Sequence, residues 1–248
     1  MSDSQLEPAT TTQVDLESVP EDWSRGLAVV AHPDDMEYGA ASAVARWTGQ
    51  GKDVRYLLVT RGEAGIDSMS PAESLAARAG EQEQSCAAVG VSELEYLDHP
   101  DGMVVADLAL RQDLASAIRR HQPEVVIGGN FRDSWGGPSW NHADHRAVGI
   151  ALLDAVRDAA NRWIFPDEGE PWTGVRFAIF ASSPQSTHGV DISDTLDVGV
   201  SSLLAHQVYL DNLGPGSVDA EQMLRDAAAA TGPRLGVTSA VAFELIHL

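Results

Sequence analysis

Short apolar runs alternate with longer amphipathic runs along most of the chain, from residue 26 to the C-terminus. The short runs predict strands at residues 27–31, 54–60, 94–97, 125–128 and 175–181. The longer runs have helical spacing and predict helices at approximately residues 36–50, 71–89, 108–120, 142–160, 196–210 and 220–230. Strands that alternate with helices are typical of a parallel sheet covered on both faces. We therefore predict a single-domain α/β fold with a Rossmann-like, mostly parallel, doubly wound sheet.

The first 23 residues lack this pattern and are polar, rich in Ser, Thr and acidic side chains. We expect a disordered acidic tail over residues 1–23 and a folded domain over residues 24–248. The chain has a formal net charge of -21. Because such a field repels phosphate and anionic lipid, we expect neither nucleic acid nor a membrane as a partner. No apolar run has bilayer-spanning length and the N-terminus shows no signal-peptide pattern, so the expected location is the cytoplasm.

One histidine and two aspartates follow the first predicted strand, in the run His32-Pro33-Asp34-Asp35. Pro33 disfavours helix at His32, and a carboxylate at this point can cap the helix that follows. Capping alone would explain the aspartates, and that interpretation stays open. Imidazole nitrogen and carboxylate oxygen are also the ligands of catalytic zinc, which keeps one coordination position open for water.

A second run of this kind, Asn141-His142-Ala143-Asp144-His145, opens a predicted helix after a Gly-rich loop. His142 and His145 are three residues apart and therefore share one face of a helix. Asp144 can orient an imidazole or cap the helix. Because both runs follow strands whose carboxyl ends share one rim of a parallel sheet, we expect the two runs to meet there.

Together the two runs contain a two-His, one-carboxylate set, His32, Asp35 and His145, which leaves a coordination position for water. Asp34 is then available as a general base, and His142 can bind an oxyanion or protonate a leaving amine. Zn²⁺ is the expected metal, and Fe²⁺ or Co²⁺ stays open because the same ligand types accept them. The sequence thus predicts a metal-dependent hydrolase.

The two runs, in this order, resemble the motifs of the PIG-L/LmbE-like N-acetylglucosaminyl deacetylase superfamily, which shows His-Pro-Asp-Asp after a strand and His-x-Asp-His later. Further segments resemble family motifs at residues 60–63, 78–81, 88–91, 97–102 and 205–207. The resemblance extends from about residue 26 to the C-terminus. It departs at Met36, where many relatives have Glu, and Glu37 follows one position later.

The resemblance implies an LmbE-like fold in which the two-His, one-carboxylate set binds zinc. It implies that Asp34 is the general base, that His142 stabilises the oxyanion and that Asp144 tunes a nearby imidazole. Arg78 and Asp101 match positions that contact the polar groups of the substrate in similar enzymes.

The resulting hypothesis is zinc-dependent removal of an N-acetyl, or another N-acyl, group from an amino-sugar conjugate. One alternative is an amidase that acts on a sugar-thiol S-conjugate or an acylated natural product. A metal-dependent phosphoesterase is a second, although such sites usually gather more carboxylates around two metals. The non-enzyme alternative is a Rossmann-like metal- or ligand-binding protein, which the spare Asp34 disfavours. The expected partner is a small-molecule substrate, and the apolar segment 198–210 fits either a core helix or the interface of a homo-oligomer.

Several other residues near these motifs have no assigned role. Trp135 and Trp140 flank the Gly-rich loop and can either pack it or stack on a sugar. His188 lies in a loop that can overhang the site, and His206 fits a structural histidine equally well.

Overall fold

The computed structural model describes residues 16–214 and 218–248, which form one large sheet, a hairpin and the helices around them. The strands are β1 (Glu17–Ser18), β2 (Arg25–Val30), β3 (Asp53–Leu58), β4 (Leu94–Tyr96), β5 (Val125–Gly129), β6 (Ser134–Gly136), β7 (Ser139–Trp140), β8 (Phe177–Ala181), β9 (His188–Asp191) and β10 (Ala240–His247). The helices are α1 (Asp35–Gly39), α2 (Ala41–Gly49), α3 (Pro71–Ala88), α4 (Leu108–His121), α5 (Ala143–Ala160), α6 (Leu196–Leu204), α7 (Gln207–Asp211) and α8 (Ala220–Leu235).

The large sheet has eight strands in the order β1-β9-β10-β8-β5-β2-β3-β4. The neighbouring strands β8, β5, β2, β3 and β4 are all parallel. β10 lies antiparallel between β8 and β9. The predicted α/β fold with a mostly parallel sheet is confirmed, while the sequence patterns missed β9 and β10.

Burial on both faces explains why the central strands are continuously apolar rather than alternating. In β2, Leu27 and Val29 pack into one hydrophobic cluster, and Ala28 and Val30 pack into the other. Helices cover each face of the sheet, so both sets of side chains leave water. The molecule therefore has two cores, one on each side of the same sheet.

Two predicted helices are each divided in the structure. Segment 36–50 forms α1 and α2, because Ala40 between them has a non-helical backbone with φ -139°. Segment 196–210 forms α6 and α7, which are separated at His206 by a backbone with φ -80° and ψ 47°. The last helix continues past the predicted residue 230 to Leu235, where Gly236 ends it in the left-handed conformation with φ 77°.

The predicted boundary between tail and domain needs correction. Leu16, Val19 and Trp23 are buried, with 7%, 4% and 3% of their surface exposed. Between them, β1 pairs in parallel with β9 at the edge of the sheet. Two or three residues, mostly polar, separate each of these apolar residues from the next, and this spacing gave no periodicity that marked the segment. The rest of the predicted tail, residues 1–15, lies outside the described residues.

The topology brings together the loops that carry the two motifs. β2 and β5 are adjacent and parallel, so the loops after their carboxyl ends leave the sheet side by side. The Gly-rich segment after β5 forms the β6–β7 hairpin, which leads directly into α5. In the described part of the chain, no helix combines the length and apolarity needed to cross a bilayer.

Candidate active site

The first motif makes a tight turn at the end of β2 that is organised by the Asp35 side chain. Its Oδ2 accepts the backbone N–H groups of Ala31 and His32 at 3.0 and 2.8 Å. These bonds fold the carboxylate back over the strand end and leave Oδ1 turned toward His145, whose Nε2 is 3.0 Å away. One oxygen therefore fixes the turn, and the other faces the second motif.

The predicted two-His, one-carboxylate set comes together in space. His32 Nδ1 lies 3.2 Å from His145 Nε2 and 3.6 Å from Asp35 Oδ2. Ligands bound tetrahedrally to zinc at about 2.0–2.1 Å are about 3.3 Å apart. The distance of 3.2 Å between the two imidazole nitrogens matches that spacing, and each imidazole lies within 3.6 Å of a different oxygen of Asp35.

Each of the two imidazoles makes a hydrogen bond on the side away from Asp35. These bonds determine which ring nitrogen of His32 and of His145 faces the Asp35 carboxylate. Asn141 donates from Nδ2 to the carbonyls of Asn130 and Arg132, so its Oδ1 accepts from His145 Nδ1 at 3.1 Å. On His32, Nε2 lies 3.1 Å from Asp101 Oδ1. When neutral, both rings therefore turn an unprotonated nitrogen toward the Asp35 carboxylate. In that neutral form the two imidazole nitrogens and the carboxylate present three acceptors, as a cation needs.

Asp144 is the second carboxylate behind His32, 3.3 Å from Nε2, and it is fully buried. It also accepts the backbone N–H groups of Gly102 and Val104 at 2.8 and 3.2 Å. Asp101 similarly accepts the backbone N–H of Ala64 at 2.8 Å. The loops that follow β3 and β4 are thus tied to the back of the His32 imidazole.

The charges around His32 favour a positive charge at this position. Burial alone would lower the pKa of His32, but Asp35, Asp101 and Asp144 together raise it well above its ordinary value. Burial would raise the pKa of Asp35, but His145 and His32 hold it well below its ordinary value. A site that stabilises a proton on His32 in this way also suits a divalent ion.

Among the described residues, three groups of ligand-type side chains have one atom each within 4.8 Å of one another, and none of the three includes Asp35. His32 with Asp101 and Asp144 forms one, but those carboxylates need the Nε2 proton and already accept backbone amides. A second group is His32 with His142 and His145, and the third, Glu93 with Glu95 and His121, lies away from both motifs.

His142 occupies the N-cap position of α5, where its Nδ1 accepts the backbone N–H of Asp144 at 3.2 Å. The neutral ring therefore carries its proton on Nε2. Its centroid lies 5.1 Å from that of His32 and 5.3 Å from that of His145. Burial, together with the neighbouring His32 and His145, lowers the pKa of His142 and favours this neutral donor form.

Asp34 occupies the N-cap position of α1, but its side chain makes no capping hydrogen bond to that helix. It is 5% exposed, and its Oδ2 accepts no hydrogen bond from the described residues. Burial raises the pKa of Asp34 to about 8, against the opposing effect of Arg78. The side chain of Asp34 therefore does not cap the helix, and the capping interpretation is wrong for this residue.

Arg78 is 3% exposed and its guanidinium is already engaged. It donates to the carbonyls of Pro33 and Gly62 at 2.6 and 3.1 Å, and its Nη2 lies 3.2 Å from Asp34 Oδ2. The Tyr209 ring covers its outer face, 4.4 Å from ring centroid to Cζ. Arg78 thus stands behind Asp34, and the predicted contacts of Arg78 and Asp101 with substrate stay predictions.

A cavity of about 610 Å³ opens over these groups. All the predicted site residues line it except Asp144, which lies behind His32. Its largely apolar wall includes Tyr38, just after the first motif, and Tyr209, Met223 and Leu224 from distant parts of the chain in α7 and α8. The motif patterns did not identify the last three, because only the fold places α7 and α8 beside the loop after β2.

The unassigned residues divide between the site and the rest of the molecule. Trp135 lines the cavity, with its ring centroid 5.6 Å from that of His145. Trp140 is 67% exposed and stacks on Arg146 instead. His188 lies in β9, 3.8 Å from Glu17 at the edge of the sheet. His206 is fully buried.

Comparisons with known proteins identify the family of this chain. The chain matches the PIG-L family, described as GlcNAc-PI de-N-acetylase, over residues 27–156. Diacetylchitobiose deacetylase from Thermococcus kodakarensis is 29% identical over 192 residues, 75% of this chain and 70% of that protein. The 1D-myo-inositol 2-acetamido-2-deoxy-alpha-D-glucopyranoside deacetylase from Thermomonospora curvata is 27% identical, and the match covers 61% of this chain and 58% of that protein.

A solved structure shows the same fold. N,N'-diacetylchitobiose deacetylase from Pyrococcus horikoshii superposes with a TM-score of 0.82 at 23% identity, covering 92% of this chain and 85% of that chain. The family match spans more than half of the chain and includes both motifs. The chain therefore belongs to the PIG-L family of metal-dependent de-N-acetylases.

Proposed function

We propose that this protein is a metal-dependent hydrolase that removes the N-acetyl group from a small amino-sugar conjugate, releasing acetate and a free amine. The observation that carries the proposal is the buried carboxylate of Asp34, which reaches the cavity beside the convergent acceptors of His32, Asp35 and His145. A protein that only stored a metal would not need this additional carboxylate.

His32, Asp35 and His145 would hold the metal, because two imidazole nitrogens and a carboxylate are ligands that suit Zn²⁺ and these side chains lie together. Fe²⁺ and Co²⁺ accept the same ligand types and stay open as alternatives. When bound, the ion would polarise the amide carbonyl and make nearby water more acidic.

Side chains around the metal site carry out the remaining steps. Asp34 takes the proton of the attacking water, because its carboxylate is buried and faces the cavity. His142 donates its Nε2 proton as a hydrogen bond to the carbonyl oxygen as negative charge develops there. The proton taken by Asp34 then passes to the departing nitrogen as the C–N bond breaks. Asp101 and Asp144 keep the His32 ring in orientation throughout.

The substrate class follows from the relatives and from the cavity. Two relatives are named for acetylated glucosamine conjugates, diacetylchitobiose and an inositol glycoside. A cavity of about 610 Å³ falls within the range of roughly 300–1,000 Å³ that is usual for small-molecule sites. We propose N-acetylglucosamine conjugates of this size as substrates, with amides of sugar-thiol S-conjugates as the neighbouring alternative.

The test is release of primary amine from a panel of N-acetylated amino-sugar conjugates, with metal-loaded protein measured beside chelated protein. The panel includes N-acetylglucosamine, N,N'-diacetylchitobiose, an N-acetylglucosaminyl inositol and an amide of a sugar-thiol conjugate. We expect release from at least one sugar conjugate, lost on chelation and restored by Zn²⁺. Absence of release from every member, with metal still bound, would contradict the proposal.

A further inference from the structure

The backbone of Asp34 has an unusual conformation for a residue with a side chain. Its φ of 83° lies in the left-handed region, which most residues other than glycine avoid. Such a conformation persists when surrounding contacts hold it in place. The direction of the Asp34 carboxylate depends on this backbone, so whatever holds the backbone also aims the carboxylate.

The Gln82 side chain in α3 makes that contact. Its Oε1 accepts the backbone N–H of Asp34 at 3.0 Å, while its Nε2 donates to Glu37 Oε1 at 3.0 Å. These two bonds define the orientation of the amide, because a carboxylate can only accept and a backbone N–H can only donate. Gln82 and Glu37 are 1% and 2% exposed, so water does not compete for either bond.

Glu37 is itself held by hydroxyl groups from α3 and α6. Its Oε1 also accepts from Ser85 Oγ at 2.5 Å, and that hydroxyl lies 2.6 Å from Ser202 Oγ in α6. The Asp34 peptide is thereby connected through α1 and α3 to α6. Neither Gln82 nor Glu37 belongs to the described residues that line the 610 Å³ cavity, so neither can act on substrate directly.

We infer that Gln82 and Glu37 are positioning residues, which hold the left-handed backbone of Asp34 and so aim its carboxylate at the reaction centre. The expected effect on kcat rests on the proposed deacetylase function, whereas the hydrogen bond between Gln82 and the Asp34 backbone does not. Glu37 stands one position after the place where many family members have Glu, and in this chain its side chain completes the bridge.

The decisive variant is Gln82→Met, which keeps the length of the side chain and removes both hydrogen bonds. Gln84→Met is the matched control, because Gln84 lies in the same helix and is exposed, and its amide donates to the carbonyl of Gly80, away from Asp34. Amide hydrogen exchange of Asp34, followed by NMR, reports the contact whether or not a substrate is found. We expect exchange about tenfold faster in Gln82→Met and unchanged in Gln84→Met.

Kinetics on the substrate found in the panel test the consequence. We expect kcat to fall about 10- to 100-fold in Gln82→Met with KM and metal content nearly unchanged, since a small displacement of a catalytic group costs this much. Glu37→Leu should behave similarly, while Glu37→Gln keeps an acceptor for Gln82 and should recover most of the kcat.

Unchanged exchange at Asp34 in folded Gln82→Met would overturn the inference, as would a kcat within twofold of the wild-type value. If Gln82→Met does not fold, a low kcat in both Glu37 variants would overturn it, because rescue by Glu37→Gln is then missing. Inactive wild-type protein would instead refute the proposed function, and the exchange measurement would still decide the contact.

Discussion

His206 makes the stability of this protein depend on pH in a way that can be measured. The ring is fully buried, and neither nitrogen forms a hydrogen bond with residues 16–214 or 218–248. Glu37 Oε2 is 3.8 Å from Nε2, beyond hydrogen-bond distance. Burial, with a smaller contribution from Arg78, lowers the pKa of His206 to about 4 from its ordinary value of 6.5.

The sign of the effect follows from the two pKa values. Between pH 6.5 and pH 4 the unfolded chain protonates His206 and the folded protein does not, so acid stabilises the unfolded state. Each pKa unit between the folded and the unfolded state corresponds to about 1.4 kcal/mol of unfolding free energy. The full shift of His206 therefore corresponds to about 3 kcal/mol. This contribution is present above pH 6.5 and is lost as the pH falls toward 4.

Urea denaturation at pH 7 and at pH 4.5 measures the effect in wild type, in His206→Gln and in the control His247→Gln. Other groups also titrate in this range, so the comparison is between the losses of the three proteins. We expect His206→Gln to lose about 2 kcal/mol less free energy of unfolding than wild type. His247 is exposed in β10, and its variant should follow wild type. Equal losses in all three proteins would refute the reasoning.

Three further predictions concern the site. His145→Ala should lower bound metal, measured by elemental analysis, to well under one ion per chain, because it removes one of three convergent acceptors; full occupancy would contradict the ligand set. His142→Phe should retain metal but lower kcat about 10²- to 10³-fold, as expected when a donor to an oxyanion is lost; an unchanged kcat would exclude that role. A phosphate-bearing conjugate should show kcat/KM about tenfold below its neutral counterpart, with a gap that narrows in high salt. The reason is that Arg78, the one Arg or Lys among the described cavity-lining residues, is already paired with Asp34; equal rates would contradict this charge argument.

The meeting of the two motifs could be predicted because it depends on a general property of parallel sheets. Residues 27–31 and 125–128 are apolar runs of strand length, and parallel neighbours end on one rim. The separations between His32, Asp35 and His145 are a consequence of that register. Site residues that directly follow a strand can therefore be placed from the sequence.

Contacts between distant segments could not be predicted in this way. Tyr209 covers Arg78, and Leu224 reaches the cavity, only because α7 and α8 pack back against the loop after β2. Asn141 was part of the second motif, but its role in orienting His145 depends on carbonyls in the preceding loop. The order of Leu16–Trp23 likewise depends on β9, which lies far along the chain.

The central claim is that Asp34 is the general base beside a metal held by other side chains. The most direct test compares Asp34→Asn with wild type, with kcat for amine release and metal content measured on the same samples. We predict one bound ion per chain in both proteins and a kcat reduced about 10²- to 10⁴-fold in the variant. An Asp34→Asn protein that retained most of its kcat with metal bound would contradict the account.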